Sequence, residues 1–152
     1  MKLAEALIAR ADLQNKTAQI KRRITQSAKV REGDEPIEDA AELLRQYDTL
    51  MSDLETLVTR INRTNAAAEL DDGVLVDAIA KRDSLKARIN TYRELWDEVS
   101  ITRERGGYDR SDIKLVRCLD IAKLREEIDA MSKQYRELDT KMQKCNWTID
   151  LL

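Results

Sequence analysis

Between residues 121 and 145, Ile121, Leu124, Ile128, Met131, Tyr135, Leu138, Met142 and Cys145 recur at steps of three and four without a break. Those steps gather every one of them on one side of an α-helix, whereas a strand would scatter them over both faces. A stripe this narrow is a coiled-coil seam. Asp120, just before it, is a good N-cap. A helix of roughly 25 residues is roughly 37 Å long at about 1.5 Å per residue. Its seam has to be covered by other helices.

Three further segments carry related patterns, which sets four helices at about 3–27, 40–63, 75–99 and 121–145. In the first, Ala6, Leu13 and Ile20 share one heptad position, and Leu3, Thr17 and Ile24 share another, on which Arg10 also falls. In the second, Ala40, Tyr47, Leu54 and Ile61 form one row, Leu43, Leu50 and Leu57 the next, and Leu44, Met51 and Val58 a third. Three apolar positions in seven is the width of a stripe facing a core. In the third, the rows are Leu75, Ile89, Trp96 and Ala78, Leu85, Tyr92, Val99, with Arg82 interrupting the first. Gly33 and Pro36 mark a connection before Asp39, a second candidate N-cap, and Asp71-Asp72-Gly73 is the turn signal of another connection over 65–73. Residues 100–112 read as an open loop, and Ile113-Lys-Leu-Val116 alternates as a short strand does. Ala28–Val30 is the expected partner of that strand in a two-strand clip. The fold class expected is all-α: one domain, 1–152, as an antiparallel four-helix bundle of long helices.

Composition removes whole classes of function. There is one Pro and there are four Gly in 152 residues, too few turn residues for a many-stranded β protein. There is no His. Ser-His-Asp and Cys-His catalysis, zincin motifs and the Glu-x-x-His di-iron pattern all need one. The glycines form no phosphate-binding fingerprint, and Asp71-Asp72-Gly73 lacks the spaced oxygen ligands of an EF-hand. Cys118 and Cys145 form no CxxC and read as idle or buried thiols. The expectation is therefore no catalytic residue, no metal and no cofactor. No apolar run is long enough to span a bilayer. Glu5, Arg10 and Asp12 break up the start of the chain where a signal peptide needs an apolar stretch, so a cytoplasmic address is expected.

A net charge of −2 gives no overall attraction for nucleic acid or an anionic membrane. The local distribution is lopsided. Residues 1–31 hold eight basic and two acidic groups, net +6, and residues 32–62 hold two basic and nine acidic groups, net −7. A hairpin of the first two helices neutralises itself, so Lys21-Arg22-Arg23 is read as the complement of the acidic helix rather than a nucleic-acid or lipid patch. Arg103-Glu-Arg-Gly-Gly-Tyr108 is read as a loop rather than an RNA-binding segment.

An up-down-up-down order brings the start of helix one, the end of helix two, the start of helix three and the end of helix four to one end. Arg10, Asn62, Arg63, Asn65 and Arg82 then form a polar cluster, with Asn146 and Trp147 nearby. A core-facing Arg cannot shed its proton and needs a partner. Arg10 and Arg82 either pair with carboxylates of neighbouring helices or of a second subunit, fixing register, or join the Asn amides in a pocket for an anion.

Several stretches carry a resemblance: Met1-Lys-Leu-Ala-Glu-Ala-Leu7 leading into Ala11-Asp-Leu-Gln14, Glu32-Gly-Asp-Glu-Pro36, Ile61-Asn-Arg-Thr-Asn65, Arg110-Ser-Asp-Ile-Lys-Leu-Val116, Gln134-Tyr-Arg-Glu-Leu-Asp-Thr140, and Asn146-Trp-Thr-Ile-Asp-Leu-Leu152. Their order resembles that of a family of small bacterial helical proteins of unknown function, some of which carry the label septicolysin. The resemblance implies a bacterial origin and a helical fold, and supplies no catalytic site. The label implies a membrane-active, pore-forming protein. The reading of the residues themselves is a non-enzymatic module that homo-oligomerises through helix packing. The membrane-active protein is its first alternative and a small-anion or nucleic-acid binder its second.

Overall fold

The computed structural model describes residues 1–100 and 116–152. In chain order these hold α1 (Leu3–Ser27), α2 (Ala40–Ala67), β1 (Glu69–Leu70), β2 (Gly73–Val74), α3 (Leu75–Ser100) and α4 (Ile121–Thr148). Among the described residues the fold is all-α, four long helices with one two-stranded antiparallel sheet. They form two units, Met1–Val76 with Gln143–Leu152, and Asp77–Met142.

In the first unit α1 and α2 pair antiparallel. Their seam is the expected one: Leu3, Ala6 and Ile20 on α1 and Leu43, Ile61 and Thr64 on α2 are buried. Asp39 caps α2, its Oδ1 accepting from the N–H groups of Ala41 at 2.9 Å and Glu42 at 3.3 Å. Arg23 on α1 grips Glu38, just ahead of that cap, through Nε at 2.9 Å and through a second bond from Nη2. This pair closes the connection over the end of α1. α2 runs to Ala67, four residues past its expected end, because Thr64 continues the buried seam and Asn65 stays helical.

The last residues dock onto this pair. Leu3 N–H donates to Ile149 O and Leu151 N–H to Met1 O, both at 2.9 Å, with Lys2 and Asp150 bridged between them. Leu151 is buried. Thr64 Oγ1 accepts from Leu152 N–H at 3.0 Å, and Arg60 Nε donates to Leu152 O at 2.7 Å. α4 correspondingly extends three residues beyond the expected Cys145, to Thr148.

The two-strand clip is not where it was expected. It pairs Glu69 with Val74 and Leu70 with Gly73 across Asp71-Asp72. Asp71 takes the left-handed φ of 53° at the tip of this two-residue loop, a conformation that Asp tolerates better than most residues. Ala28–Val30 belongs to no strand and Val116 is exposed outside any strand, while residues 113–115 lie outside the described residues. The local hairpin needs a two-residue loop.

In the second unit α3 and α4 run antiparallel. Asp120 caps α4 by accepting from Ala122 N–H at 2.9 Å and Lys123 N–H at 3.2 Å. Leu85 and Ile89 pack on Met131, with Tyr92, Tyr135 and Leu138 around them. These are the predicted seam positions of both helices.

Candidate functional site

The five residues of the expected polar cluster have different fates. Arg10, Asn62, Arg63 and Asn65 lie in the first unit. Asn62 and Arg63 are exposed, since the neighbouring Ile61 and Thr64 take the seam, and Asn65 is half-buried. Arg10 does lie on the seam of α1, half-buried, and its Nε is fully buried with no hydrogen-bond partner. Arg82 lies in the second unit, on the seam of α3. Its Nε and Nη2 donate to Asp83 Oδ1 at 3.0 and 2.8 Å, and its Nη1 lies 3.9 Å from Asp139 on α4. Arg82 thus bonds its neighbour on its own helix and lies within ion-pair range of a carboxylate on α4. Arg10 has no ion-pair partner among the described residues. The 103–110 segment lies outside them.

Two grooves flank the seams. The first, about 440 Å³, lies between α1 and α2 and is lined by Lys16, Gln19, Ile20, Arg23, Gln46, Thr49 and Leu50. The second, about 240 Å³, lies between α3 and α4. It is lined by Lys86, Ile89, Asn90, Arg93, Ser132, Tyr135 and Arg136. Reading the sequence missed this second group. The signal was present in the steps Lys86-Asn90-Arg93 and Ser132-Arg136, which flank the seam residues Ile89 and Tyr135.

The displaced protonation equilibria belong to structural pairs. The Arg23 hydrogen bond holds Glu38 below the ordinary carboxylate range, Arg45 does the same for Glu42, and Lys2 for Asp150. Both cysteines are free; Cys118 is exposed and Cys145 buried, and burial pushes the Cys145 thiol upward. Since the thiolate is the reactive form, iodoacetamide is expected to modify Cys118 at least ~10 times faster than Cys145 in the folded protein. Mass spectrometry of a timed alkylation checks this, and Cys118→Ser removes the fast phase.

These features define an all-α protein built of long paired helices with a small hairpin. No helix among the described residues is long and apolar enough to cross a membrane. The chain belongs to a family of unknown function, DUF6847, whose pattern matches residues 10–151. It is similar to a chain whose crystal structure is described as that of a functionally unknown conserved protein from Corynebacterium diphtheriae. The two share 37% identity over 100% of this chain and 99% of the other, with a TM-score of 0.91. No curated protein matches the chain.

Proposed function

We propose that the chain is a non-enzymatic module that assembles with copies of itself through the outer side of the α1–α2 pair. One observation carries this reading: an apolar row that the pair leaves uncovered. Leu44 (50% exposed) and Met51 (40%) follow one another at a step of seven on α2, with half-buried Val58 next in the row and Ile37 (89%) just ahead of the helix. Leu44, Met51 and Val58 were expected to face a core within the chain. Exposed apolar area of this kind favours burial against a partner, at roughly 25 cal/mol per Å². The seam itself supports the reading, because Leu13, Tyr47, Leu50, Leu54 and Leu57 are only half-buried between two helices.

A two-fold pairing that lays α1 of one copy along α2 of the other repeats between copies the +6 against −7 match that the hairpin makes within each chain. Asp48 and Glu55, exposed and interleaved with the row at steps of three and four, are acceptors for the second copy's cations.

Native mass spectrometry and light scattering at 10–100 μM (roughly the range where weak helical interfaces form) are expected to give an integer multiple of 17.5 kDa. Leu44→Glu/Met51→Glu is expected to return the monomer with unchanged helical circular dichroism, since both side chains are exposed. A monomeric wild type, or a double variant of unchanged stoichiometry, overturns the reading. Dye release from anionic vesicles by the wild type but not by the variant would transfer the row to a membrane surface, as the septicolysin label has it.

A further inference from the structure

The groove in the second unit has features of a built anion site. Lys86, Asn90 and Arg93 follow at steps of four and three along α3, and Ser132 and Arg136 at a step of four along α4. Such spacing stacks side chains on one helix face. Together with Ile89 and Tyr135 they line one cleft of about 240 Å³.

The cleft is lined by three cations and no carboxylate. Lys86, Arg93 and Arg136 have no ion-pair partner among the described residues. Of the three acids within helical reach, Asp83 and Asp139 are engaged by Arg82, and Asp97 stands one turn beyond Arg93, outside the lining. This surplus of positive charge sits in a chain whose net charge is −2.

Ser132 supplies an independent observation. A helical hydroxyl ordinarily returns its hydrogen bond to the carbonyl four residues back. Thr17, Thr49, Thr64, Thr91 and Thr140 all do so in this chain. Ser132 does not: its Oγ is buried and has no partner, a state that Ser100 Oγ at the end of α3 shares. Ser132 is among the residues that line the cleft, and its covered hydroxyl is an unused donor beside the cations. Beside it, Ile89 is buried and Tyr135 half-buried, while Lys86, Asn90, Arg93 and Arg136 are exposed.

We propose that this cleft binds a small tetrahedral oxyanion, phosphate either free or as a phosphomonoester. Phosphate suits the lining better than a carboxylate does. It carries more charge, and its oxygens diverge toward donors on both helices, where the two guanidinium forks and the Asn90 amide meet them. The volume leaves room for a small organic group beside Tyr135.

The test is a titration of the ¹⁵N-labelled full chain with inorganic phosphate and, separately, phenyl phosphate, at ionic strength held constant with sodium chloride. Saturating amide shifts are expected in 86–93 and 132–136 at millimolar ligand or below. Arg93→Gln/Arg136→Gln is expected to weaken binding at least ~30-fold and Ser132→Ala about 5-fold, in line with the strength of charge-assisted bonds. Lys16→Gln, in the other groove, leaves binding unchanged. Saturation by phosphate alone identifies the free anion; tighter phenyl phosphate identifies a phosphomonoester. Shifts that stay linear, or saturation retained in the double Arg variant, overturn the proposal. Length-dependent binding of a single-stranded oligonucleotide without saturation by either small probe also overturns it, in favour of a polymer. Leu44→Glu/Met51→Glu is expected to keep phosphate binding, which separates this site from self-assembly.

Discussion

Ile61→Ala is expected to lower the unfolding free energy by about 3 kcal/mol, within the ~2–5 kcal/mol range for removing most of a buried aliphatic side chain. Ile61 is 1% exposed and lies near the end of α2 where Leu3 and Ala6 of α1 are also buried. Several elements meet there: both helix ends and the docked residues 149–152. Their mutual hydrogen bonds limit how far the backbone can collapse into the space left, so the cavity contribution persists. Leu54, one heptad earlier in the same row, is half-buried. Leu54→Ala is expected to cost about half as much, because partly exposed apolar area loses less on truncation. Urea unfolding followed by Trp147 fluorescence in a Trp96→Phe background reports on the first unit, since Trp147 lies there and Trp96 in the other. A cost below about 1 kcal/mol for Ile61→Ala would show that this end of the pair is not a closed core.

The helices were legible because their signal is local. Steps of three and four in α4, and the rows of α1 to α3, are set by the 3.6-residue turn alone, and Asp39 and Asp120 announce two starts. The helix ends were less legible. α2 passes Arg63 because Thr64 is buried, and α4 passes Cys145 because Ile149 and Leu151 dock on α1. Both extensions depend on contacts between segments far apart in sequence. Of the expected clip, Ala28–Val30 forms no strand and residues 113–115 lie outside the described residues. The Asp71-Asp72-Gly73 turn, read only as a connection, already contained the hairpin.

Core-facing arginines were legible as positions, and their partners were not. Arg10 and Arg82 both interrupt apolar rows and both lie on their seams. Arg82 finds its carboxylate next door in Asp83, with Asp139 of α4 3.9 Å away, whereas Arg10 faces the seam with its Nε unsatisfied. Asn62 and Arg63 were drawn into the cluster by the topology, yet one turn of α2 cannot bury Ile61 and Thr64 and also point Asn62 and Arg63 inward. The Lys86–Arg136 cleft escaped notice because each helix contributes an ordinary set of solvated charges. Only side-by-side packing collects the cations and strands Ser132.

Thr64→Val is expected to cost about 1–3 kcal/mol, as large as many core truncations although it removes no methyl group. Thr64 is 1% exposed. Its Oγ1 donates to Arg60 O at 2.9 Å and accepts from Leu152 N–H at 3.0 Å. Valine keeps nearly the same shape, so packing changes little, but the Leu152 N–H loses its acceptor. Thr64→Ser retains the hydroxyl and is expected to cost less than about 1 kcal/mol, the lost methyl alone. Protection of the Leu3, Leu151 and Leu152 amides against hydrogen exchange localises the effect. It should fall in Thr64→Val while amides of 85–89 keep theirs. The same contact carries a pH dependence. Asp150 is held below the usual carboxylate range by its hydrogen bond from Lys2. Its contribution is therefore full above about pH 4, the ordinary Asp value, and lost as pH falls through the depressed one. Protection factors at Leu3 and Leu151 should decline in that acid window in the wild type and stay flat in Asp150→Asn. Flat wild-type protection would mean that the buried Thr64 bond alone holds the docked segment, with the exposed Lys2–Asp150 pair contributing nothing, as many surface pairs do.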